Sequence, residues 1–470
     1  MQKDFKEVDI LVVGAGPGGL SFAIAAARQG AKVMLVEKNG YLGGQLAMGL
    51  PLLGYLDRDG NPVVGGIAQE FIDELKKLDG ASDHFYCPMH GSETIYDDEL
   101  FKIVAFKMAQ EAGIDILLYS QVIDVNTDNG RIDTVTVFGK SHKIEVKAKI
   151  YVDATGDGDV GYMAGAHYEK GNHGNGQLQP PTLMCTIEGV DVDKVIADVK
   201  AHPDEMELCP TIEVMPGYDA EYFSWNHDFH ILVGYRKRFK ELRDKGLMPV
   251  DRDTLIYIST MRPGTVNLNC TRHCGIDGSD VNDLTKATIE GHYQNVELVK
   301  VLRQYFPGFE NARITRFYPF LGVRESRRFE GIRTLTEDDV MNANIPEDSV
   351  GLGSYMIDIH ASTEDGTIVK KILPYGLPYG MSVSSDFDNL MFSGRCASMD
   401  SVAMSSLRVM PPLMVLGEGA GVGAALAIKK GIDPAQVDPQ EIRTILRAQG
   451  VQLEEIPNPC RPAAYYSRQK

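Results

Sequence analysis

Glycine spacing near the N-terminus predicts a nucleotide-binding turn. Residues 14–19 read G-A-G-P-G-G, so Gly14, Gly16 and Gly19 form the pattern G-x-G-x-x-G. Gly14 would permit a tight turn, Gly16 a close approach of the backbone to a pyrophosphate, and Gly19 close packing of a helix on a strand. Glu37 follows 18 residues after Gly19, and its carboxylate could accept hydrogen bonds from ribose hydroxyls. The pattern therefore favours dinucleotide binding over a purely structural glycine turn.

Three arginines in the C-terminal half could hold an anionic substrate. Arg324 lies with Arg327 and Arg328 in one short segment. Guanidinium groups bind carboxylates and similar anions through paired hydrogen bonds, so at least one of the three could form a clamp. The alternative is an ion-paired surface beside Glu325 and Glu330.

Isolated polar residues give further candidates for catalysis. His360 follows Asp358 in a mostly apolar segment, where it is either a general acid or base or a hydrogen-bonded core histidine. Tyr379 lies in the turn-like sequence L-P-Y-G and could donate a hydrogen bond to a substrate. His173 lies in the loop G-N-H-G-N-G, where it is either a lid residue or a surface histidine.

The elements around the glycine pattern form one predicted βαβ unit. Residues 9–13 are a short apolar run typical of a central parallel strand, and residues 32–37 form a second such run. Between them, residues 20–29 have helical periodicity and end at Gly30. Because this helix would begin at the glycine turn, its N-terminus would face the phosphates.

The same patterns predict further elements along the chain. The predicted helices are 67–78, 97–112, 283–305 and 404–430, and the predicted strands are 115–119, 122–127, 132–138, 142–146, 149–153 and 389–393. The 48 glycines are about 10% of the chain, above the usual ~7%. We expect those at 14–19, 43–44, 156, 394 and 417–423 to follow one ligand.

Charge and cysteine content exclude several classes of protein. The chain has 47 basic and 65 acidic residues, a net charge of −18, which disfavours nucleic acid or anionic membrane as the main partner. Its seven cysteines are Cys87, Cys185, Cys209, Cys270, Cys274, Cys396 and Cys460. No CxxC pair is present, so we expect reduced thiols in the cytoplasm and no metal site. The apolar runs 10–27 and 409–428 contain glycines or prolines that disfavour a membrane span.

Six motifs beyond the glycine turn resemble one known family. They are V-D-A-T-G-D-G-D-V (152–160), G-V-R-E-S-R-R (322–328), M-I-D-I-H (356–360), L-P-Y (377–379), N-L-M-F-S-G-R-C-A-S (389–398) and L-R-V-M-P-P-L-M-V-L-G-E-G-A-G (407–421). In this order they resemble the bacterial FAD-dependent oxidoreductases, related to the glutathione reductase and fumarate reductase flavoproteins. The resemblance covers about residues 8–430. The histidine that members often carry near position 401 is absent here, because residues 399–401 are Met-Asp-Ser.

The resemblance implies an α/β fold with a Rossmann-like FAD-binding domain of the glutathione reductase type and an inserted mixed α+β substrate domain. The expected FAD-binding segments are 1–164 and 386–432, the substrate domain is 165–385, and 433–470 is a C-terminal tail. FAD is expected to be non-covalent, since no histidine lies near Gln45. No metal is expected.

The resemblance also implies the residues that hold FAD. For the ADP half these are Gly14, Ala15, Gly16, Gly19, Glu37, Lys38, Gly43 and Gly44, with Gln45 approaching the flavin ring. Val122 would contact adenine, and Ala154, Thr155 and Gly156 would line the pyrophosphate and adenosine. Gly394 and Arg395 would meet the ribityl–phosphate chain. The helix start at Pro411, Leu413 and Met414 would point at the flavin, and Arg408 would face the flavin edge or the substrate.

The implied activity is hydride transfer between flavin N5 and a small polar organic substrate that can be anionic, with His360, Arg324, Arg408 and Tyr379 as the catalytic candidates. A flavin-dependent monooxygenase and an FAD-carrying electron-transfer subunit without its own substrate are the alternatives. The glycine-rich run 417–423 lies inside a helix-like segment and does not indicate a separate site for a nicotinamide cofactor, so the electron donor or acceptor is expected to be an external partner of unknown identity. We expect no nucleic acid or membrane partner, and a homo-oligomer is compatible with the sequence.

Overall fold

A computed structural model describes residues 2–225, 227–360 and 366–454. The β-strands are β1 (Gln2–Val13), β2 (Val33–Val36), β3 (Phe85–Cys87), β4 (Gly91–Glu93), β5 (Asp115–Leu117), β6 (Gln121–Asp128), β7 (Arg131–Gly139), β8 (His142–Asp153), β9 (Tyr168–Glu169), β10 (Cys185–Glu188), β11 (Ile231–Gly234), β12 (Leu255–Ser259), β13 (Thr265–Leu268), β14 (Arg313–Phe317), β15 (Arg328–Phe329), β16 (Ser349–Gly353), β17 (Ile357–His360), β18 (Thr367–Lys370), β19 (Tyr375–Pro378) and β20 (Leu390–Phe392).

The α-helices are α1 (Pro17–Arg28), α2 (Gly66–Lys76), α3 (Asp98–Glu111), α4 (Asp159–Ala164), α5 (Val192–Ala201), α6 (Ala220–Trp225), α7 (Arg236–Asp244), α8 (Val281–Tyr305), α9 (Glu337–Met341), α10 (Ser401–Leu407), α11 (Met410–Lys430) and α12 (Pro439–Ala448). Cys460 and the tail beyond Glu454 lie outside the described residues.

The first sheet has seven strands and contains the predicted βαβ unit. Its order is β5-β2-β1-β8-β7-β6, and β20 also pairs with β8. The pairs β5–β2, β2–β1, β1–β8 and β8–β20 are parallel. The pairs β8–β7 and β7–β6 are antiparallel. The chain therefore forms a Rossmann-like, mixed α/β fold in which several parallel strands end at one edge.

Strand β8 is one continuous strand where the sequence predicts two. Residues 142–146 pair with β7 and alternate in burial, whereas Tyr151–Asp153 pair with β20 and are buried on both faces. This change of partner produces two different hydrophobic patterns within one strand. Strand β1 pairs with β8 along almost its whole length, from Gln2 to Val13.

Helix α11 packs against α1 at the centre of the protein. A Cβ on Gly417 would overlap the backbone of Gly18, and one on Gly421 would overlap the carbonyl of Phe22. The expectation that the glycines at 417–423 follow the ligand is therefore wrong for these two, which instead let two helices approach closely. Helix α11 is long and apolar enough to span a membrane, but 89% of its most apolar window is buried inside the protein.

The second sheet has five antiparallel strands in the order β11-β12-β13-β10-β14. Its strands come from residues 185–317, which lie between β8 and β20 in the chain. Residues of α5, α7 and α8 pack with this sheet into a second hydrophobic core. Isoleucine and valine side chains of β11 and β12 also face the cavity described next.

Candidate active site

One cavity of about 500 Å³ extends from the first sheet to the second. Its walls include the residues that follow four parallel strands: Gly14 after β1, Glu37 after β2, Ala154 after β8 and Ser393 after β20. In open α/β sheets, the crevice at the carboxyl ends of the strands is where ligands bind. The position of the cavity is therefore set by the topology of the sheet.

Two glycines of the turn allow close packing, and the third leaves space for a ligand. A Cβ on Gly14, whose φ is +96°, would overlap the backbone of Ala154, and a Cβ on Gly19 would overlap the carbonyl of Gly14. A Cβ on Gly16 would meet no atom within 4 Å, and Gly16 lines the cavity. Gly14 and Gly19 thus hold strand and helix together, whereas Gly16 leaves room for a phosphate at the start of α1.

Glu37 holds the turn as well as facing the cavity. Its Oε2 accepts a hydrogen bond from the backbone N–H of Ala15 at 2.8 Å. Its Oε1 accepts hydrogen bonds from the backbone N–H and side-chain amide of Asn39, at 2.8 and 2.7 Å. Oε1 thus already accepts two hydrogen bonds, whereas Oε2 accepts one and retains acceptor capacity for a ribose hydroxyl. Lys38 lines the cavity beside it.

The second glycine pair supports the turn from the outside. The N–H of Gly43 donates to the carbonyl of Ala15 at 2.7 Å, and Gly44 lines the cavity beside Gly16. Gln45 also lines the cavity, donating from Nε2 to the carbonyl of Leu321 at 3.4 Å. Its Oε1 is buried and has no partner among the described residues, so it is available to a ligand.

The turn after β8 is fixed by a buried aspartate. Asp153 accepts hydrogen bonds from the N–H and hydroxyl of Thr155 and from the N–H of Gly161. Burial raises the pKa of Asp153 to about 6. Ala154, Thr155 and Gly156 line the cavity, as does Val122 on β6.

The turn after β20 also borders the cavity. Gly394 has a φ of +101°, and Arg395 forms an ion pair with Asp157 at 2.9 Å. Gly394 and Arg395 line the cavity, and the neighbouring Ser393 has a buried hydroxyl without a partner among the described residues.

The N-terminus of α11 borders the cavity through some of the predicted residues. Met410 and Leu413 line it, together with Val409, the N-cap residue. Pro411 and Met414 are buried but do not line it, because they lie on other faces of the first turn. Proline at 411 and 412 also removes two backbone N–H donors from this turn, which leaves fewer donors than the expectation assumed.

Beyond these turns the cavity opens into a chamber lined by three arginines, of which Arg252 and Arg324 are buried and Arg408 is partly buried. Arg252, Arg324 and Arg408 line it from three separate segments, before β12, after β14 and at the end of α10. Arg324 donates to the carbonyl of Pro180 and to Thr182 Oγ1. Burial, and then the charges of Arg408 and Arg252, lower the pKa of Arg324 well below its ordinary value.

Two of these guanidinium groups lack a close carboxylate. Among the described residues, no carboxylate oxygen lies within 4.0 Å of Arg252 or Arg324, which are 6% and 8% exposed. Burial and the neighbouring guanidinium groups disfavour the charged form of Arg324, whereas Asp358 favours that form from more than 4.0 Å away. The chamber is therefore suited to an anion.

A third arginine is held by the Asp358–His360 pair. Arg408 donates to the carbonyl of Asp358 at 2.9 Å and to its carboxylate at 3.1 Å. Although burial opposes ionisation, His360, Arg408 and Arg324 hold the pKa of Asp358 below its ordinary value. His360 Nε2 lies 3.3 Å from the same carboxylate, and burial lowers the pKa of His360 to about 3. His360 is therefore neutral at pH 7 and can act as a proton acceptor or as a hydrogen-bond donor.

The other wall of the chamber is apolar. Ile231 and Val233 on β11 pair with Ile258 and Ile256 on β12, and all four side chains line the cavity. Alternate residues of a strand face the same side, so these four form one continuous hydrocarbon surface.

Two further buried polar atoms face the chamber. Asn269 Oδ1 and the Tyr318 hydroxyl are buried and have no partner among the described residues. Buried polar groups are normally hydrogen-bonded, so a polar ligand would satisfy them.

Tyr379 does not belong to this site. It is buried beside Gly423 of α11, its hydroxyl donates to the carbonyl of Pro434 at 3.2 Å, and it does not line the cavity. The expectation that it contacts substrate is corrected: turn-like flanking residues gave no information on which side of the backbone the ring would lie.

Arg327 and Arg328, the two arginines that follow Arg324 in the sequence, contact other residues of the protein. Arg327 donates to the carbonyl of Asp157 and stacks on Tyr162, and Arg328 pairs with Glu325 in the interior. His173 is a surface residue with 68% of its side chain exposed.

Arg252, Asn269 and Tyr318 were missed by the sequence reasoning. Asn269 and Tyr318 come directly after a strand and Arg252 lies just before one, and none of the three belongs to a motif. Only the folding of the second sheet brings them to Arg324.

This fold and this cavity are typical of a dinucleotide-binding protein, with a second chamber next to the cleft at the strand ends. The chain belongs to the FAD-dependent oxidoreductase family, whose model matches residues 9–446. It is therefore an FAD-dependent enzyme. The cleft fits this cofactor: a Cβ on Gly16 or Gly394 would meet nothing within 4 Å, and the buried Ser393 hydroxyl has no partner in the part of the chain that the structure describes.

Known proteins resemble the chain over shorter stretches. The thiamine thiazole synthase of Aeropyrum pernix is 34% identical over 163 residues, which cover 32% of this chain and 54% of that protein. The digeranylgeranylglycerophospholipid reductase of Methanocella arvoryzae is 31% identical over 169 residues, covering 34% and 42%. The chain thus matches only about half of these relatives, or less. The crystal structure of a geranylgeranyl bacteriochlorophyll reductase-like protein from Thermoplasma acidophilum is 13% identical, with a TM-score of 0.45 and coverage of 98% and 96%.

Proposed function

We propose that this enzyme transfers hydride between the flavin N5 and a small organic anion that carries a hydrocarbon part. The observation that carries the proposal is the chamber next to the cofactor cleft, in which no carboxylate of the described residues lies within 4.0 Å of Arg252 or Arg324. The hydrocarbon surface of β11 and β12 faces the same chamber. A polar head with a small apolar body matches both walls.

FAD, when bound, supplies the hydride acceptor or donor, and the protein supplies binding, orientation and proton handling. Arg252 and Arg324 would bind the anionic group. Arg408, oriented by Asp358, would hold the substrate or a water near the start of α11. His360, neutral and beside Asp358, would accept the accompanying proton or hold a water that carries it.

The finer architecture is also a proposal. The interruption of the first sheet by residues 185–317 is compatible with an inserted substrate domain in a glutathione reductase-type flavoprotein. We infer non-covalent FAD, an external electron partner and a cytoplasmic location. The glycine-rich run 417–423 lies inside helix α11 and forms no separate nicotinamide site, which supports an external electron partner, and seven cysteines without a CxxC pair support a cytoplasmic location.

An anaerobic half-reaction tests the proposal. The purified holoenzyme is photoreduced and mixed with paired acceptors, each an unsaturated carboxylate and its neutral amide, while flavin absorbance is recorded. The oxidised enzyme is mixed with the corresponding saturated pairs. We expect flavin turnover with carboxylates and at least ~10-fold slower turnover with amides, the loss of about one charged hydrogen bond.

Other outcomes would favour the rival functions. Turnover that requires O₂ and yields a hydroxylated product would favour a monooxygenase. Flavin that exchanges electrons with redox proteins but with no small molecule would favour an electron-transfer subunit. Equal rates for acid and amide would remove the assigned role of the arginines.

A further inference from the structure

A hairpin at the edge of the chamber brings together a thiol, an imidazole and a carboxylate. Strands β3 and β4 pair antiparallel, with Cys87 opposite Gly91 and Phe85 opposite Glu93. Paired and alternate residues share one face of a hairpin, so Cys87 and Glu93 lie on the same face. His90 lies in the connecting turn, which gives the spacing C-x-x-H-x-x-E.

The three side chains present one ligand atom each within a small sphere. Cys87 Sγ lies 3.5 Å from His90 Nδ1, and His90 Nδ1 lies 3.0 Å from Glu93 Oε1. All three ligand atoms lie within 4.8 Å of one another. Bonds of about 2.3 Å to sulfur and about 2.0–2.2 Å to nitrogen and oxygen give tetrahedral ligand–ligand distances of roughly 3.3–3.6 Å. The hairpin therefore matches a zinc site closely before any adjustment.

The groups behind the cluster orient it for a cation. Glu93 Oε2 accepts hydrogen bonds from the N–H of Ile231 at 3.2 Å and the hydroxyl of Tyr222 at 3.4 Å, which leaves Oε1 toward His90. The backbone N–H of His90 donates to Cys87 Sγ at 3.3 Å, an interaction that stabilises a thiolate. Such supporting contacts are typical around metal ligands.

Burial and charge point the same way. Cys87 and Glu93 are fully buried, and His90 is 9% exposed. A thiolate, a neutral imidazole and a carboxylate carry a net charge of −2 and would be neutralised by a divalent cation. Without a cation, the same groups form only a hydrogen-bonded cluster with a protonated thiol.

The fourth coordination position would be open. His90 lines the main cavity and also a small cavity of about 10 Å³, shared with Ser354, Met356 and Lys371. A space of this size holds about one water molecule. Lys371 Nζ donates to the carbonyl of Met89, so it is held in place beside the cluster.

We propose that Cys87 Sγ, His90 Nδ1 and Glu93 Oε1 bind a zinc-class divalent cation with three protein ligands and an open fourth position at the wall of the substrate chamber. The combination of sulfur, nitrogen and oxygen ligands favours Zn²⁺ over Mg²⁺ or Ca²⁺, which prefer oxygen alone. This proposal differs from the expectation of no metal site, which considered cysteine pairs only. The inference does not depend on the proposed redox substrate.

Metal content of the holoenzyme tests the proposal. Protein with FAD is dialysed against ZnSO₄, then against metal-free buffer, and zinc is counted by mass spectrometry. We expect about one zinc per chain, and zinc-edge X-ray absorption with one sulfur near 2.3 Å and nitrogen or oxygen near 2.0–2.2 Å. Less than about a tenth of an equivalent, or a shell of nitrogen and oxygen alone, would overturn it.

Matched variants locate the site. Cys87→Ser and Glu93→Gln should each weaken zinc binding by more than about 100-fold, since loss of a mere supporting contact already costs 10–100-fold. Cys274→Ser, which changes an exposed thiol, should bind zinc like the wild type. Bound FAD and thermal melting report folding of each variant, and unaltered zinc affinity in folded Cys87→Ser or Glu93→Gln would contradict the assignment. If both variants fail to fold, the wild-type absorption spectrum still decides.

Discussion

Arg408 donates to both the backbone carbonyl and the carboxylate of Asp358, at 2.9 and 3.1 Å. This contact ties the end of α10, next to the N-terminus of α11, to strand β17. The cofactor end and the substrate end of the cavity are thereby joined through one ion pair. Substitutions at the strand-end turns should change FAD binding, whereas substitutions in the chamber should change the binding or reaction of a small anion.

Gly16→Val should remove FAD without unfolding the protein. Gly16 has a φ of −68° and open space at the Cβ position, so valine fits the backbone but fills the phosphate site. We expect a colourless protein with wild-type circular dichroism. Gly14→Val is the comparison, because its side chain would overlap Ala154 and should reduce stability as well. Yellow, stoichiometric FAD in Gly16→Val would contradict the assigned phosphate position.

Glu37→Ala should weaken FAD binding by about 1–3 kcal/mol, because the protein loses a buried acceptor for Ala15, Asn39 and a ribose hydroxyl. Flavin fluorescence during titration of apoprotein gives the affinity. An unchanged dissociation constant would show that another residue holds the ribose.

Arg324→Met should weaken the binding of small anions and leave the binding of FAD unchanged. A hydrogen bond to a charged group is worth about 1.5–3 kcal/mol, so carboxylate binding, followed by the flavin difference spectrum, should fall roughly 10- to 150-fold. Arg333→Met is the control, since Arg333 pairs with Asp348 at the surface. Equal loss in both variants would point to a general change of charge, and no loss in Arg324→Met would place the anion elsewhere.

His360 should not titrate between pH 5 and 8. Its pKa of about 3 lies below this range, so the imidazole is neutral throughout. The reaction rate should therefore show no pH dependence that comes from His360 between pH 5 and 8. His360→Gln should slow substrate-dependent flavin oxidation while the anion dissociation constant stays within about 3-fold. A wild-type rate profile with an inflection near 6.5 that disappears in His360→Gln would contradict this protonation state.

Glu418→Gln should stabilise the protein at high pH. Burial raises the pKa of Glu418 to about 8 from an ordinary value of 4.5. Between these values the unfolded chain releases the proton that the folded protein retains, so wild-type stability falls as pH rises. Glutamine keeps an oxygen acceptor for the N–H of Ile67 and carries no titratable proton.

The melting temperature of Glu418→Gln should therefore exceed that of the wild type most at pH 8 and above, and differ little at pH 4.5. Glu207→Gln, at an exposed position, controls for the loss of one negative charge. A difference independent of pH would show that Glu418 is ionised in the folded protein.

The cofactor half of the site could be predicted because it is local. The turn at Gly14–Gly19, the strands on either side and Glu37 lie within 29 consecutive residues, from 9 to 37, so spacing alone reports their geometry. Ala154 and Gly394 could be placed only through resemblance, since β8 pairs with β1, and β20 pairs with β8, across more than a hundred residues in each case.

The substrate half could not be predicted in the same way. Arg324 was found because it belongs to a motif, but Arg252 and Tyr318 reach the chamber only through the five-stranded sheet. Tyr379 has turn residues around it and yet packs under α11, since the direction of a side chain depends on tertiary contacts. Cys87, His90 and Glu93 were overlooked because their ligand spacing mixes residue types.

A crystal structure of the holoenzyme with FAD and an unsaturated carboxylate tests the central claim most directly. The account predicts FAD along the turns after β1, β2, β8 and β20, and the carboxylate within hydrogen-bond distance of Arg324 or Arg252. FAD bound elsewhere, or a carboxylate that contacts neither arginine, would contradict it.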